Sequence, residues 1–339
     1  MYICVLSTIP DENDPPYDPS SHMNGFRWKH YLVDPREVEK QIRGLVDEGV
    51  QVFVNLCDGT PDDPVSGIGL VRTMEKLGVA FTGADSKFFD PTRQQMKAAA
   101  RRAGVPVPDW MIANKMQDLE RISKRLRFPM LVKPPHGYSS VGLTRASRVE
   151  DMAQLRQQLE LAIREYDAAL IEEFIEGREF TCLIADNPDD RSRPITFKPV
   201  EFRFPAGETF KHYDMKWVDW GKMSVVPVKD ARIDSILRAQ TSRVFQSLEG
   251  NGYARCDFRM DSGGTLYMLE INPNCGIFYP LTEPGSADFC LMNDTIDHQR
   301  FLKLIIRAAQ GRQARMLAER KLRRGVRKNR VDVEERALA

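Results

Sequence analysis

Long apolar runs are missing from this chain: none approaches the roughly 20 residues that a membrane-spanning helix needs. An excess of charge of one sign is missing too. Lys and Arg number 49, Asp and Glu 48, and the formal net charge is +1. So neutral a balance argues against a protein whose main work is coating nucleic acid or an acidic membrane surface. Cysteine is scarce and shows no pairing pattern. Cys4, Cys57, Cys182, Cys256, Cys275 and Cys290 form no CxxC pair, and their spacing matches neither a zinc site nor a disulfide framework. Most sit beside apolar residues and read as reduced thiols in or near a core, which implies a cytoplasmic protein. The opening MYICVLSTIP lacks a basic leader and a small-residue cleavage site, so it reads as a first buried strand rather than a signal peptide. There is no internal repeat, no low-complexity tract and no GxxxxGK[ST] phosphate loop.

What is present is length and alternation. The 339 residues, 42% of them hydrophobic, suffice for two or three domains. Segments 2–6, 50–56 and 79–82 read as buried strands, and 38–48 and 67–77 have helical spacing of apolar residues. Strand–helix alternation of this kind implies an α/β unit with a doubly wound parallel sheet, whose ligands sit beyond the carboxyl ends of the strands. A Pro/Asp-rich loop at 10–21 is long enough to serve function. A helix at 91–103 ends at Gly104. Then come a strand at 129–133, a glycine/serine turn at 136–142, a helix at 149–160 and a strand at 169–174 continued by 179–185. The last unit is strand-rich (195–202, 224–228, 253–260, 266–272), with a helix at 233–249 among the strands.

The segment 255–274, RCDFRMDSGGTLYMLEINPN, carries the most chemistry. It reads as two strands joined by a turn at 261–264. In such a hairpin Asp257 and Glu270 lie side by side, and alternation puts Glu270 and Asn272 on one face. Asp, Glu and Asn are hard oxygen donors suited to magnesium shared with phosphate. Without a cation, two carboxylates among Phe258, Leu269 and Ile271 would be costly; the alternative is a hairpin with solvent-facing acids. Lys133 ends an apolar strand, where it reaches phosphate as a point charge. The small-residue turn after it, Gly137 to Gly142, offers backbone N–H groups to further oxygens. Alone such a turn is a plain hairpin. In the segment 172–180, EEFIEGREF, the backbone around Glu173 and Ile175 suits an adenine edge. Phe174 and Ile175 supply apolar contact, Glu179 suits ribose hydroxyls, and Glu176 reads as a solvated turn acid.

Taken together, Lys133, Ser139-Ser140-Val-Gly142, the 172–180 segment, Arg255-x-Asp257 and Glu270-x-Asn272 resemble the ATP-grasp superfamily, and within it the D-alanine–D-alanine ligase branch. The resemblance spans about residues 90–285. It implies an ATP-grasp fold: an N-terminal Rossmann-like domain at 1–90, a small lobe at 91–185, a large lobe with the metal site at 186–310, and a basic helical extension at 311–339. It implies ATP bound by Arg93, Lys133, Ser140, Glu172, Glu173, Phe174, Ile175, Glu179 and Lys216. Two magnesium ions, or manganese in their place, would be held by Asp257, Glu270 and Asn272. Arg255, Ser139 and Gly276 would be catalytic. The activity implied joins a small-molecule carboxylate to an amine through an acyl-phosphate, releasing ADP and phosphate. The alternatives are an ATP-grasp kinase without amine coupling and an ATP-binding regulatory protein without turnover.

Departures from the family's pattern fall on the substrate side. The loop after the first strand has Asp11 and Glu12 but not the Gly-rich pattern. Asn55-Leu-Cys57-Asp58-Gly59 stands where the family has a histidine. Trp217 replaces a tyrosine after the loop lysine, and Arg93 stands for an early phosphate lysine, a change of donor geometry. Cys275-Gly276-Ile-Phe-Tyr279-Pro is bulkier than a D-alanine carboxylate site requires. Asp58, Trp217 and Tyr279 are therefore the substrate-side candidates, with core packing as the other reading of Tyr279. The basic stretch 312–330 reads either as a solvated helix end or as a contact for an acidic partner. An apolar face on the first domain would support a homodimer.

Overall fold

The computed structural model describes residues 1–8, 17–57, 59, 67–135, 142–218 and 220–337. Tyr2–Ser7 (β1) is buried at all but its first residue, as a central parallel strand should be. It pairs in parallel with Arg27–Leu32 (β2) and, after the helix Val38–Asp47 (α1), with Val52–Asn55 (β3). Ile68–Leu77 (α2) leads to Ala80–Phe81 (β4), which completes a parallel sheet of order β2-β1-β3-β4. β2 has no signature in the sequence, for a physical reason. RWKHYL is an edge strand with no buried face, so it carries no apolar run.

Arg93–Arg102 (α3) begins with a capping box between Thr92 and Gln95. A second sheet follows, built from Trp110–Ala113 (β5), Met130–Lys133 (β6), Arg148–Val149 (β7) and Ala169–Glu173 (β8), in the order β5-β8-β6-β7. Leu119–Arg125 (α4) and Met152–Tyr166 (α5) cover it and close a separate apolar cluster around Ile122, Leu155, Leu159 and Ile171.

Arg178–Ala185 (β9) is not an extension of β8 but the centre of a third sheet. The chain changes sheet at Gly177 (φ +131), where a Cβ would lie 2.1 Å from the carbonyl oxygen of Met260. Ile195–Thr196 (β10) and Val200–Arg203 (β11) both pair with β9. The short Tyr213–Trp217 (α6), Ser224–Pro227 (β12) and Ala231–Ser247 (α7) precede the hairpin of Tyr253–Met260 (β13) and Leu266–Pro273 (β14). Sheet order is β12-β11-β9-β13-β14. On β9 and β13 the even-numbered residues Phe180, Ile184, Cys256 and Phe258 enter the core beneath α3 and α7. The odd-numbered ones, Glu179, Thr181, Arg255, Asp257 and Arg259, therefore share the opposite face.

Ser286–Met292 (α8) and His298–Ala337 (α9) complete the chain. The basic stretch in the middle of α9 is used within the molecule. Arg312 donates to the carbonyls of Phe81 and Gly83 and to Asn251, and Arg320 donates to the carbonyls of Glu75 and Lys76 at the end of α2. Those are helix-terminal acceptors that need outside donors. Among the described residues no helix is long and apolar enough to cross a membrane.

The first and third sheets share two apolar clusters, whereas the second sheet has its own. The joint is tight: a Cβ on Gly252 (φ +69) would sit 2.1 Å from the oxygen of Gly83, and one on Gly83 would sit 1.9 Å from Asn274 Oδ1. Gly252→Ala is thus expected to cost about 2–4 kcal/mol, since left-handed strain and overpacking act together. Denaturant unfolding measures it, and a wild-type midpoint would mean that the joint gives way cheaply.

Candidate active site

Three neighbouring strands bring the acids together. Asp257 on β13 lies directly across from Glu270 on β14, and Arg255 from Asn272. A register shift follows Asp257, so β14 carries one residue more than β13 there. Bulges of this kind re-aim side chains, and Leu269 and Glu270 both line the cleft. Asn272 Nδ2 donates to Asp257 Oδ2 at 3.2 Å and to Glu270 Oε1 at 3.3 Å, so both carboxylates converge on one carboxamide. Arg255 donates through Nε and Nη2 to the two oxygens of Asp257 at 3.0 and 2.9 Å, and Thr181 Oγ1 donates at 2.5 Å. Burial opposes ionisation of Asp257, but the Arg255 and Lys211 cations outweigh it and hold the carboxyl below its ordinary range.

The facing wall comes from the second sheet and α3. Glu172, buried on β8, takes Lys133 Nζ at 2.5 Å on one oxygen and Lys97 Nζ at 2.7 Å on the other. Burial would raise this carboxyl, yet Lys133 and Lys97 bring it down to about 2. Lys216 on α6 reaches in from above the hairpin. Burial first, then the Arg255 and Lys211 cations, lower its ammonium from 10.5 to about 7. Between the walls lies a cleft of about 830 Å³, partly open to solvent. One end of it is apolar (Leu131, Phe174, Phe210, Leu269) and the other is charged (Lys133, Lys216, Arg255, Asp257, Glu270). A slot with an apolar end, cations and paired carboxylates suits a nucleotide triphosphate: base at one end, phosphates at the other.

A model of the family described as D-ala D-ala ligase C-terminus matches residues 100–282, more than half of the chain. The chain belongs to the D-alanine–D-alanine ligase family. It is similar to the D-alanine–D-alanine ligase of Bacillus anthracis, 30% identical over 238 residues that cover 69% of this chain and 72% of the relative. It is also similar to D-alanine–D-alanine ligase B of Chromobacterium violaceum, 29% identical over 247 residues covering 70% and 75%. Among solved structures, the fold matches the Bacillus anthracis D-alanine–D-alanine ligase complexed with ATP at a TM-score of 0.67 and 21% identity, over 93% of this chain and 98% of that one. VanG D-Ala:D-Ser ligase of Enterococcus faecalis matches at 0.66 and 15%, over 91% and 99%. Family membership makes the protein an ATP-dependent carboxylate–amine ligase with an ATP-grasp fold, and it favours neither the kinase nor the non-catalytic alternative.

In this member of the D-alanine–D-alanine ligase family, Arg93, Lys133, Glu172, Glu173, Phe174, Ile175, Glu179, Lys216, Arg255, Asp257 and Glu270 all line one cleft. Arg93 donates to the carbonyl of Pro134 at 2.7 Å. The Glu173 carboxylate is engaged away from the cleft by Arg127, through its backbone N–H, Nε and Nη2. Only the Glu173 backbone can therefore face a base. Phe174 packs edge-on against Phe210, and the guanidinium carbons of Arg148 and Arg259 each lie 4.6 Å from its ring centre. Gly276 belongs to a bent loop in which Asn274 (φ 49) and Phe278 (φ 65) are both left-handed, a strain typical of functional loops. A Cβ on Gly276 would meet the Tyr279 hydroxyl at 2.6 Å. Tyr279 packs against Tyr17 with the ring centroids 4.7 Å apart and the planes tilted by 42°, and the hydroxyls are 3.2 Å apart. Asp58, Ser139 and Ser140 lie outside the described residues, as does the side chain of Trp217, whose backbone closes α6.

Three charged residues of the site carry no mark that singles them out as functional: Lys211 and Arg259 line the cleft, and Lys97 is buried against Glu172. Lys97 is legible only as a lysine on the buried face of α3 beside Met96 and Ala100. Lys211 and Arg259 lack any such local mark: one is in an irregular loop, and the other looks like an outward strand residue until β9 is laid beside it.

Proposed function

We propose that the protein joins the carboxylate of a small amino acid to the amine of a second compound, using ATP and magnesium and passing through an acyl-phosphate. The observation that carries this reading is the convergence of Asp257, Glu270 and Asn272 opposite Lys133 and Lys216 in one cleft. The donor set fits the metal: two carboxylates converge on one carboxamide, which turns its Nδ2 toward them here and would present its oxygen to a cation, and hard oxygens of this kind suit magnesium. Asp257, Glu270 and Asn272 would hold it, and bound magnesium would offset charge on the phosphate oxygens.

In this reading the backbone from Glu173 to Ile175 meets the base and Glu179 the ribose, with Arg93, Lys133 and Lys216 along the phosphates. Arg255 stays charged beside Asp257. It stabilises the oxyanion that forms when the amine attacks the acyl-phosphate, together with the backbone N–H of Gly276. These groups are preset in position, so the site spends little on reorganisation as charge develops. Ser139 and Ser140 would complete the phosphate contacts. On the substrate side, Tyr279 with Tyr17 walls the loop that would face the second substrate, for which the sequence also offers Asp58 and Trp217.

The test is phosphate release from ATP with pools of amino acids and small carboxylic acids. Release should depend on both a carboxylate and an amine, and splitting the active pool identifies the pair. ADP formation without amine dependence would sink the ligase reading.

A pH effect follows from Lys216. Near pH 7 the free protein holds this group half-protonated, while a phosphate beside it favours the charged form. ATP binding should therefore take up a proton, and affinity should fall as pH rises from about 7 to 9. Calorimetry in buffers of different ionisation enthalpy measures the uptake. No uptake at pH 8 would mean that Lys216 does not meet phosphate.

A further inference from the structure

Strand alternation sets three charged groups in a row on β13: Arg255, Asp257 and Arg259. The first two serve the phosphate end. Arg259 has no part in the chemistry, yet it is 3% exposed and lines the base end of the cleft. Its guanidinium donates through Nε to the carbonyl of Ile175 at 2.6 Å and through Nη2 to that of Gly177 at 2.9 Å. Nη1 donates to the carbonyl of Thr209 at 2.8 Å and to Glu179 Oε2 at 2.9 Å. Its Cζ also lies 4.6 Å from the centre of the Phe174 ring.

These partners belong to three separate elements: the 174–177 link between β8 and β9, the 205–212 loop before α6, and the start of β9. An apolar residue at position 259 would leave three carbonyls without this donor, and Glu179 with Lys211, at 3.4 Å, as its one ion pair among the described residues. We propose that Arg259 is a positioning residue that sets nucleotide specificity, holding Glu179 and the 174–177 backbone in the arrangement that receives a ribonucleotide. It acts through Glu179 on the sugar and through the Ile175 and Gly177 carbonyls on the peptides beside the base. The planar fork matters, because a lysine ammonium has three N–H donors on one atom and cannot reach four partners spread around a guanidinium. This inference rests on the reading that Glu179 meets the ribose hydroxyls.

The experiment compares kcat and KM for ATP, 2′-deoxy-ATP and 3′-deoxy-ATP in wild type, Arg259→Met, Arg259→Lys, Glu179→Gln and the Arg259→Met/Glu179→Gln double variant. Folding of each is checked by circular dichroism. Arg259→Met should raise KM for ATP roughly tenfold while kcat stays within about threefold. It should also lose the preference for ATP over the deoxy nucleotides to the degree that Glu179→Gln does. The double variant should lose little more than either single one, as coupled residues do. Arg259→Lys should keep part of the sugar preference, through Glu179, with a raised KM; it decides the matter if the methionine variant fails to fold. Retained sugar preference in Arg259→Met, a wild-type KM in Arg259→Lys, or a loss confined to kcat would overturn the proposal. If Glu179→Gln itself keeps the preference, the ribose reading falls, and with it the route by which Arg259 would act.

Discussion

Glu270→Gln is expected to leave the fold intact and to lower turnover roughly a thousandfold. The size comes from what the carboxylate does. Glu270 and Asp257 are adjacent across the β13–β14 ladder, and Asn272 bonds to both. A metal held there would supply positive charge to offset the phosphoryl oxygens. Losing one anionic ligand weakens the metal and removes charge stabilisation at the same time. Glutamine keeps the shape and can still bond to Asn272, so packing should survive. Unfolding midpoints should match wild type, while magnesium-dependent phosphate release collapses. A folded variant with near wild-type turnover would remove Glu270 from the metal site and leave the hairpin as a structural element.

Glu172→Gln should act on stability instead. The carboxylate holds two lysines, Lys97 and Lys133, in a site where all three side chains are nearly inaccessible. Removing the anion leaves two buried cations facing each other. Breaking a buried ion pair on one side costs about 3–5 kcal/mol, and here two cations lose their partner at once. The pH dependence has a definite sign. The folded carboxyl sits near 2 against an ordinary 4.5, so its contribution is present above pH 4.5 and is lost as pH falls from there toward 2. The stability gap between wild type and Glu172→Gln should therefore be constant near neutrality and shrink in acid. Lys97→Met added to Glu172→Gln should recover part of the loss. Equal urea midpoints at pH 7 would mean that the lysines find other partners.

How much of this site could be read in advance depends on distance along the chain. The β13–β14 hairpin is local. Two-residue alternation and a short turn put Asp257 opposite Glu270, so the acids were visible in one segment of twenty residues. Apolar runs likewise marked β1 and β3, because central parallel strands are buried on both faces. β2 went unread, because a strand at a sheet edge obeys neither pattern.

The other half of the cleft is assembled from segments far apart. Lys97 lies on a helix, Lys133 at the end of a strand, and Glu172 on the neighbouring strand of the same sheet. The Lys97–Glu172 pair exists only because the fold brings α3, which packs on α7 and β14, within reach of β8. Arg259 is a similar case: nothing in RCDFRM distinguishes it from a solvent-facing arginine until β9 pairs with β13 and brings Glu179 opposite. The residue pattern thus dictated what repeats at short range, namely strand faces, the helix cap at Thr92 and the acid-bearing hairpin. Which cation meets which anion across the cleft was left to the packing of the three sheets, because a charge interacts with whatever the fold brings within a few ångströms, whatever the separation in sequence.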